Sequence, residues 1–243
     1  MTINISMIFD DAAKNELQVG GYINYTATTL GIDSLGECFF PDHYRNFEFN
    51  VDYVFNHLGY REPDNYVKDA IICIGDSFTV GLGLPVSLTY PKKLQEILGR
   101  PVLNFGLNGA SNEWIARKLK TILKYFDPQA IVVHYTFSHR RELPEPTWFD
   151  DERTMCDEHR YTEEENYENW LGCYNEISEL HQNIVHSFIP DWHRKMPYPH
   201  NVVSPKRVDF ARDGFHYGAK SANLLASALA SKISIMGASS PNS

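Results

Sequence analysis

Apolar positions in this chain fall into two alternating patterns. Short, almost unbroken runs occur in "IICIG" at 71–75, "RPVLNFG" at 100–106, "AIVVHY" at 130–135 and "NIVHSFIP" at 183–190. A strand with so few polar alternates has both faces covered, as in a parallel sheet lying between helices. Between the runs the spacing turns helical. In "TYPKKLQEILG", Leu94, Ile97 and Leu98 share a face, Pro91 sits at the first turn and Gly99 ends the pattern. Ser111 reads as the N-cap of a second helix with Ile115, Leu119, Ile122, Leu123 and Phe126 on one stripe, broken by Asp127-Pro128. The alanine- and leucine-rich "GAKSANLLASALASKI" predicts a closing helix.

Strands alternating with helices predict an α/β domain over 66–234, with a mostly parallel sheet, right-handed crossovers and helices on both faces. Residues 1–65 read as an N-terminal extension packing on this core. Within them Phe47, Phe49, Val51, Tyr53 and Phe55 alternate with mostly polar neighbours, the pattern of a half-buried strand. Residues 235–243 read as a flexible tail.

Charge adds one local feature. The 243 residues carry a net charge of −9, and all of it arises between Glu142 and Glu168, where eleven acids face only Arg153 and Arg160. The segment at about 142–180 therefore reads as an acidic insertion, solvated or, less simply, a binding surface. Its aromatics, Trp148, Phe149, Tyr161 and Trp170, suit either packing onto the domain or a lid that stacks on a sugar ring. The basic footprint of a nucleic-acid binder is absent. No apolar run is long enough for a membrane span and no leader pattern opens the chain, so a soluble, cytoplasmic protein is expected, not a membrane partner. Cys38, Cys73, Cys156 and Cys173 form no C-x-x-C pair, and among ten histidines metal-like pairs such as His134 and His139 arise by accident, so neither a disulfide framework nor a metal is expected.

Candidate chemistry begins where the first run stops. Asp76 and Ser77 fall at the carboxyl end of a buried strand, where open α/β sheets collect ligands. The hydroxyl is either a helix cap or a nucleophile. A nucleophilic serine needs a base, usually a histidine held by a carboxylate. "RDGFHYG" offers Asp213 three residues before His216, an offset that can fold the carboxylate back onto the imidazole. Read singly, Asp213 suits a turn and His216 the surface.

Taken together, "GDSF", "NFGLNGAS" and "DGFH" resemble, in order and spacing, the sequence blocks of the SGNH/GDSL hydrolase family over about residues 70–234. The resemblance implies a flavodoxin-like three-layer α/β/α fold and a serine esterase with Ser77 as nucleophile, His216 as base and Asp213 as its orienting partner. It also assigns oxyanion donors to the Ser77 and Gly109 N–H groups. The family's third block, G-x-N-D, is missing. This chain has "TFSHRRE", where Ser138 falls at the asparagine's place; Thr136 and His139 are the other replacement donors, and Arg140 suits an anionic part of a substrate. Asp76, Asn108 and Trp148 complete the candidates for substrate contact. "NHLGYRE" at 56–62 also resembles an extension found in some members. The implied substrate is a small-molecule or carbohydrate ester, such as an O-acetyl group on sugar or a short-chain ester. No cofactor and no oligomeric state is implied. The rival readings are an acyltransferase with the same three residues and an SGNH-fold binding module with weakened catalysis.

Overall fold

The computed structural model describes residues 3–4, 9–19, 23–24, 26–27, 51–63, 65–142, 161–189, 199 and 202–238. Two short antiparallel pairs lie beside the main sheet: β1 (Ile3–Asn4) with β4 (Asn65–Tyr66), and β2 (Thr26–Ala27) with β3 (Tyr53–Val54). The four apolar runs then become β5 (Ile71–Gly75), β6 (Val102–Gly106), β7 (Ile131–Tyr135) and β8 (Ile184–Phe188). They form one all-parallel sheet in the order β6-β5-β7-β8, in which Ile72 pairs with Leu103 on one side and Ile131 on the other. Counted from β5 this is the order 2-1-3-4 of flavodoxin-like sheets, whose switch point lies between the first and third strands. The carboxyl ends of β5 and β7 meet there.

The pleat sends alternate side chains to opposite faces, and both faces are covered. Ile72, Ile74, Phe105 and Val133 pack under α1 (Asp11–Leu17), α4 (Asn112–Ile122) and α5 (Glu163–Ser178). Ile71, Cys73, Val102 and Val132 pack under α3 (Tyr90–Leu98) and α6 (Ala219–Ala238). The result is a three-layer α/β/α sandwich. The four-residue helix α2 (Ser77–Val80) springs directly from β5. Ser111 caps α4 by accepting the Trp114 N–H, and Gly99 closes α3 in the left-handed conformation, as their positions in the sequence predict.

Two elements differ from the sequence expectation. Residues 163–178, inside the acidic segment, form the crossover helix between β7 and β8. Trp170 is fully buried there, with its ring 5.5 Å from Tyr135 and 5.1 Å from Phe188, so it packs the core. Acidic residues and buried Trp170, Cys173 and Ile177 are the two faces of one amphipathic helix, fixed at its start by a Thr162/Glu165 capping box. Helix α6 runs to Ala238, past the expected limit at 234, because Met236 still has the core to pack against. Of the alternating stretch, Phe47 and Phe49 lie outside the described residues; Val51, Tyr53 and Phe55 are buried, and Asp52 and Val54 exposed. Among the described residues no helix is long and apolar enough to cross a membrane.

Two histidines sit inside the sheet. His134 Nδ1 is 2.9 Å from Ser187 Oγ and its Nε2 is 3.2 Å from Tyr217 Oη. His186 Nδ1 is 3.0 Å from Tyr135 Oη. Burial pushes each imidazole down from its ordinary value of 6.5 to about 4. The unfolded chain thus takes up two protons near pH 6.5 that the folded chain refuses until about pH 4. Their stabilising contribution is present in full above pH 6.5, is lost as pH falls from 6.5 towards 4, and changes no further below that. The combined loss is expected to reach about 7 kcal/mol at 1.36 kcal/mol per pH unit. Urea titrations across this interval check it; a midpoint that stays level down to pH 4.5 would contradict it, and His186→Gln should flatten the slope by about half.

Candidate active site

Asp76 stands between the end of β5 and the start of α2. Its Oδ1 accepts the Phe78 N–H at 3.0 Å as the N-cap, which makes Ser77 the first residue of the helix. The turn is tight enough that a Cβ on Gly75 would lie 2.2 Å from Thr79 Oγ1 and 2.6 Å from the His134 carbonyl oxygen. Only glycine fits there.

The second half of the site is local. Asp213 Oδ1 accepts the N–H groups of Phe215 at 2.9 Å and His216 at 3.0 Å, a turn that brings His216 Nδ1 to 2.5 Å from Asp213 Oδ2. Burial raises the Asp213 carboxyl, but the hydrogen bond and charge of His216, with the two backbone donors, outweigh it and bring the pKa down to about 2. Asp213 is therefore an ionised acceptor. It accepts a hydrogen bond from Nδ1–H, which leaves His216 Nε2 as an acceptor 2.8 Å from Ser77 Oγ, across 139 residues of chain. All three residues are buried, and the Phe78 ring lies 4.6 Å from the imidazole. A strand-end serine at the β5/β7 switch point is thus joined to an Asp-x-x-His turn just before the last helix. The scaffold that brings them together is a flavodoxin-like α/β/α sandwich.

The remaining candidates divide into two groups. Asp76, Thr136 and Arg140 are brought together and bond one another. The Thr136 hydroxyl donates to Asp76 Oδ2 at 2.6 Å, and Arg140 Nη1 donates to the same oxygen and to Thr136 Oγ1, each at 2.8 Å. The Arg140 guanidinium also lies over the Phe137 ring at 4.8 Å, and burial lowers its pKa against the pull of Asp76. These bonds tie the end of β7 to the residue beside Ser77. Ser138 and His139 are half-exposed on the loop beyond, with His139 stacked on Phe137. Gly109 is a buried turn glycine with φ 82°, and Asn108 before it is half-buried. Trp148 lies outside the described residues.

Two contributors were not singled out from the sequence. Asn112 accepts the Thr136 N–H at 3.0 Å and donates to the Thr136 carbonyl at 3.3 Å, pinning the segment that follows β7. Arg61 holds carbonyls of the loop after α2. The "NHLGYRE" stretch marked Arg61's neighbourhood, whereas nothing near Asn112 points to a partner 24 residues away.

No protein-family model matches the chain, and no curated protein does. Among solved structures it is similar to a protein assigned to the G-D-S-L lipolytic family from Desulfitobacterium hafniense DCB-2, at 9% identity and a TM-score of 0.43 over 67% of this chain and 98% of that one. It is also similar to a carbohydrate esterase at 16% identity and TM-score 0.46, covering 72% and 67%. A third is the acetyl xylan esterase Est2A of Butyrivibrio proteoclasticus, at 14% identity and TM-score 0.44, covering 72% and 66%.

Proposed function

We propose that the protein is a serine ester hydrolase of the SGNH/GDSL type. The observation that carries the reading is the hydrogen-bonded path from Asp213 through His216 to Ser77. In this mechanism Ser77 Oγ attacks the ester carbonyl while His216 Nε2 takes its proton, and Asp213 stabilises the imidazolium that forms. Collapse of the tetrahedral intermediate breaks the ester C–O bond. His216 gives the proton to the departing alcohol, leaving an acyl group on Ser77, and a water activated by His216 releases it as the acid.

The oxyanion is assigned to the N–H groups of Ser77 and Gly109, with Ser138 in the place of the family's asparagine. A serine hydroxyl is shorter than a carboxamide, so the hole is weaker and the esterase a modest one. The substrate proposed is a small acyl ester, with an O-acetyl group on a carbohydrate as the leading class and short-chain esters next. The same weakened hole is what favours the second reading, a binding module on a hydrolase scaffold.

The deciding experiment treats the protein with an active-site serine phosphonate, maps the adduct by mass spectrometry, and follows with p-nitrophenyl esters of increasing chain length. Labelling at Ser77 with turnover of the short esters is expected. Failure to label leaves the binding module, and preferential transfer to an added alcohol acceptor would make the protein an acyltransferase.

A further inference from the structure

The "NHLGYRE" stretch plays no part in the mechanism above, yet Arg61 within it is 2% exposed and its guanidinium is devoted to backbone carbonyls. Nη1 donates to Gly81 at 2.6 Å and to Val80 at 3.3 Å; Nη2 donates to Leu84 at 2.8 Å and to Asp52 at 2.9 Å. Val80 and Gly81 close the helix that Ser77 opens, and Gly81 N–H in turn donates to the Ser77 carbonyl at 3.0 Å. A cation at the carbonyl end of so short a helix opposes fraying at the end where the proposed nucleophile's backbone is held. The planar fork reaches four carbonyls on two segments at once, which a lysine's single ammonium cannot.

The same segment supports the other half of the site. Tyr53 lies under the guanidinium at 4.4 Å, and its hydroxyl accepts the Gly83 N–H at 2.7 Å. Gly83 is pressed against the loop that carries Asp213. A Cβ there would stand 2.7 Å from Ala211 Cβ and 3.4 Å from Asp213 Cγ, and φ is 74°, so the position admits glycine alone. Its carbonyl faces the Arg212 N–H at 3.4 Å. Glu62, the next residue, fixes the segment to the sheet by accepting the Asn104 N–H of β6 at 3.1 Å and pairing with Lys92 at 3.0 Å. Residues 80–84 thus lie between the clasp of Tyr53, Arg61 and Glu62 on one side and both ends of the Asp213–His216–Ser77 path on the other.

We propose that Arg61 and Tyr53 are positioning residues: they set the height of residues 80–84, and through them the separation of Ser77 from the Asp213–His216 turn. The effect on catalysis rests on the hydrolase reading; the effect on geometry does not. Small misplacements of reacting groups cost up to about 10²-fold in rate.

The test uses Tyr53→Phe, which deletes one oxygen, together with Arg61→Lys. Turnover of p-nitrophenyl acetate, the rate of phosphonate labelling, thermal stability and the far-downfield proton resonance of His216 Nδ1–H, assigned by its loss in Asp213→Asn, are all measured. Tyr53→Phe is expected to lower kcat by about tenfold and Arg61→Lys by about a hundredfold, with KM unchanged, and both to shift or broaden the resonance. Ile177→Ala serves as the control for stability alone. It opens a cavity under α5, on the opposite face of the sheet from Phe78, and should lower Tm while leaving kcat and the resonance as in the wild type. Unchanged kcat and resonance in Tyr53→Phe would overturn the proposal. So would an Ile177→Ala variant that loses kcat in step with its Tm as the clasp variants do. A wild-type protein that neither labels nor turns over ester refutes the hydrolase reading, and the resonance then decides the positioning role by itself: disturbed in Tyr53→Phe it stands, unchanged it falls.

Discussion

Ser77→Ala is expected to abolish ester hydrolysis and phosphonate labelling together. Removing the nucleophile of an acyl-transfer site leaves only binding and oxyanion stabilisation, and kcat should fall by about 10⁴-fold or more. The fold should survive, because the change removes one oxygen at a strand end and one hydrogen bond, that to His216 Nε2 at 2.8 Å. Such a bond is worth about 1 kcal/mol net. The burst of p-nitrophenol and the circular dichroism spectrum check the two halves of the expectation. Turnover within a few-fold of wild type, in a folded variant, would move the nucleophile elsewhere and with it the function proposed above.

Asp213→Asn should be nearly as damaging by a different route. The asparagine carbonyl can still accept the Phe215 and His216 N–H groups that Asp213 Oδ1 accepts, so the turn is kept. Its amide nitrogen then faces His216 Nδ1, where the carboxylate Oδ2 stood at 2.5 Å. An amide donor at that place favours the imidazole with its proton on Nε2, which points a donor at Ser77 Oγ where an acceptor is needed. The expected loss in kcat is about 10⁴-fold, with KM little changed. A variant with near-normal kcat would show that another group orients His216.

The layers of the fold were legible because strands and helices carry their own periods. Ile71 to Ile74 form a buried strand from their composition alone, and Ser111 caps α4 for reasons contained within three residues. The Asp213–His216 bond is similarly local, a carboxylate folded back over a three-residue turn. That Ser77 would meet this pair was expected from the order and approximate spacing of the three blocks, not from the chemistry of either residue read singly. Trp170 was ambiguous because an aromatic in an acidic stretch looks the same in sequence whether it serves as a lid or as core.

Local patterning along the chain was enough for the four strands of the parallel sheet, for α3, α4 and α6, for the strand-end serine and for the Asp-x-x-His turn. Long-range folding was needed to bind Asp76 to Thr136 and Arg140, 60 and 64 residues on, to pin Thr136 with Asn112, and to clasp the loop after Ser77 with Arg61. It also decided that His134 and His186 lie inside the sheet as neutral groups. The physical reason is common to all of these. Each depends on which strand ends stand side by side in the order β6-β5-β7-β8, and that order is set by global packing of the two covered faces, whereas hydrophobic period, capping and turn chemistry act over only a few residues.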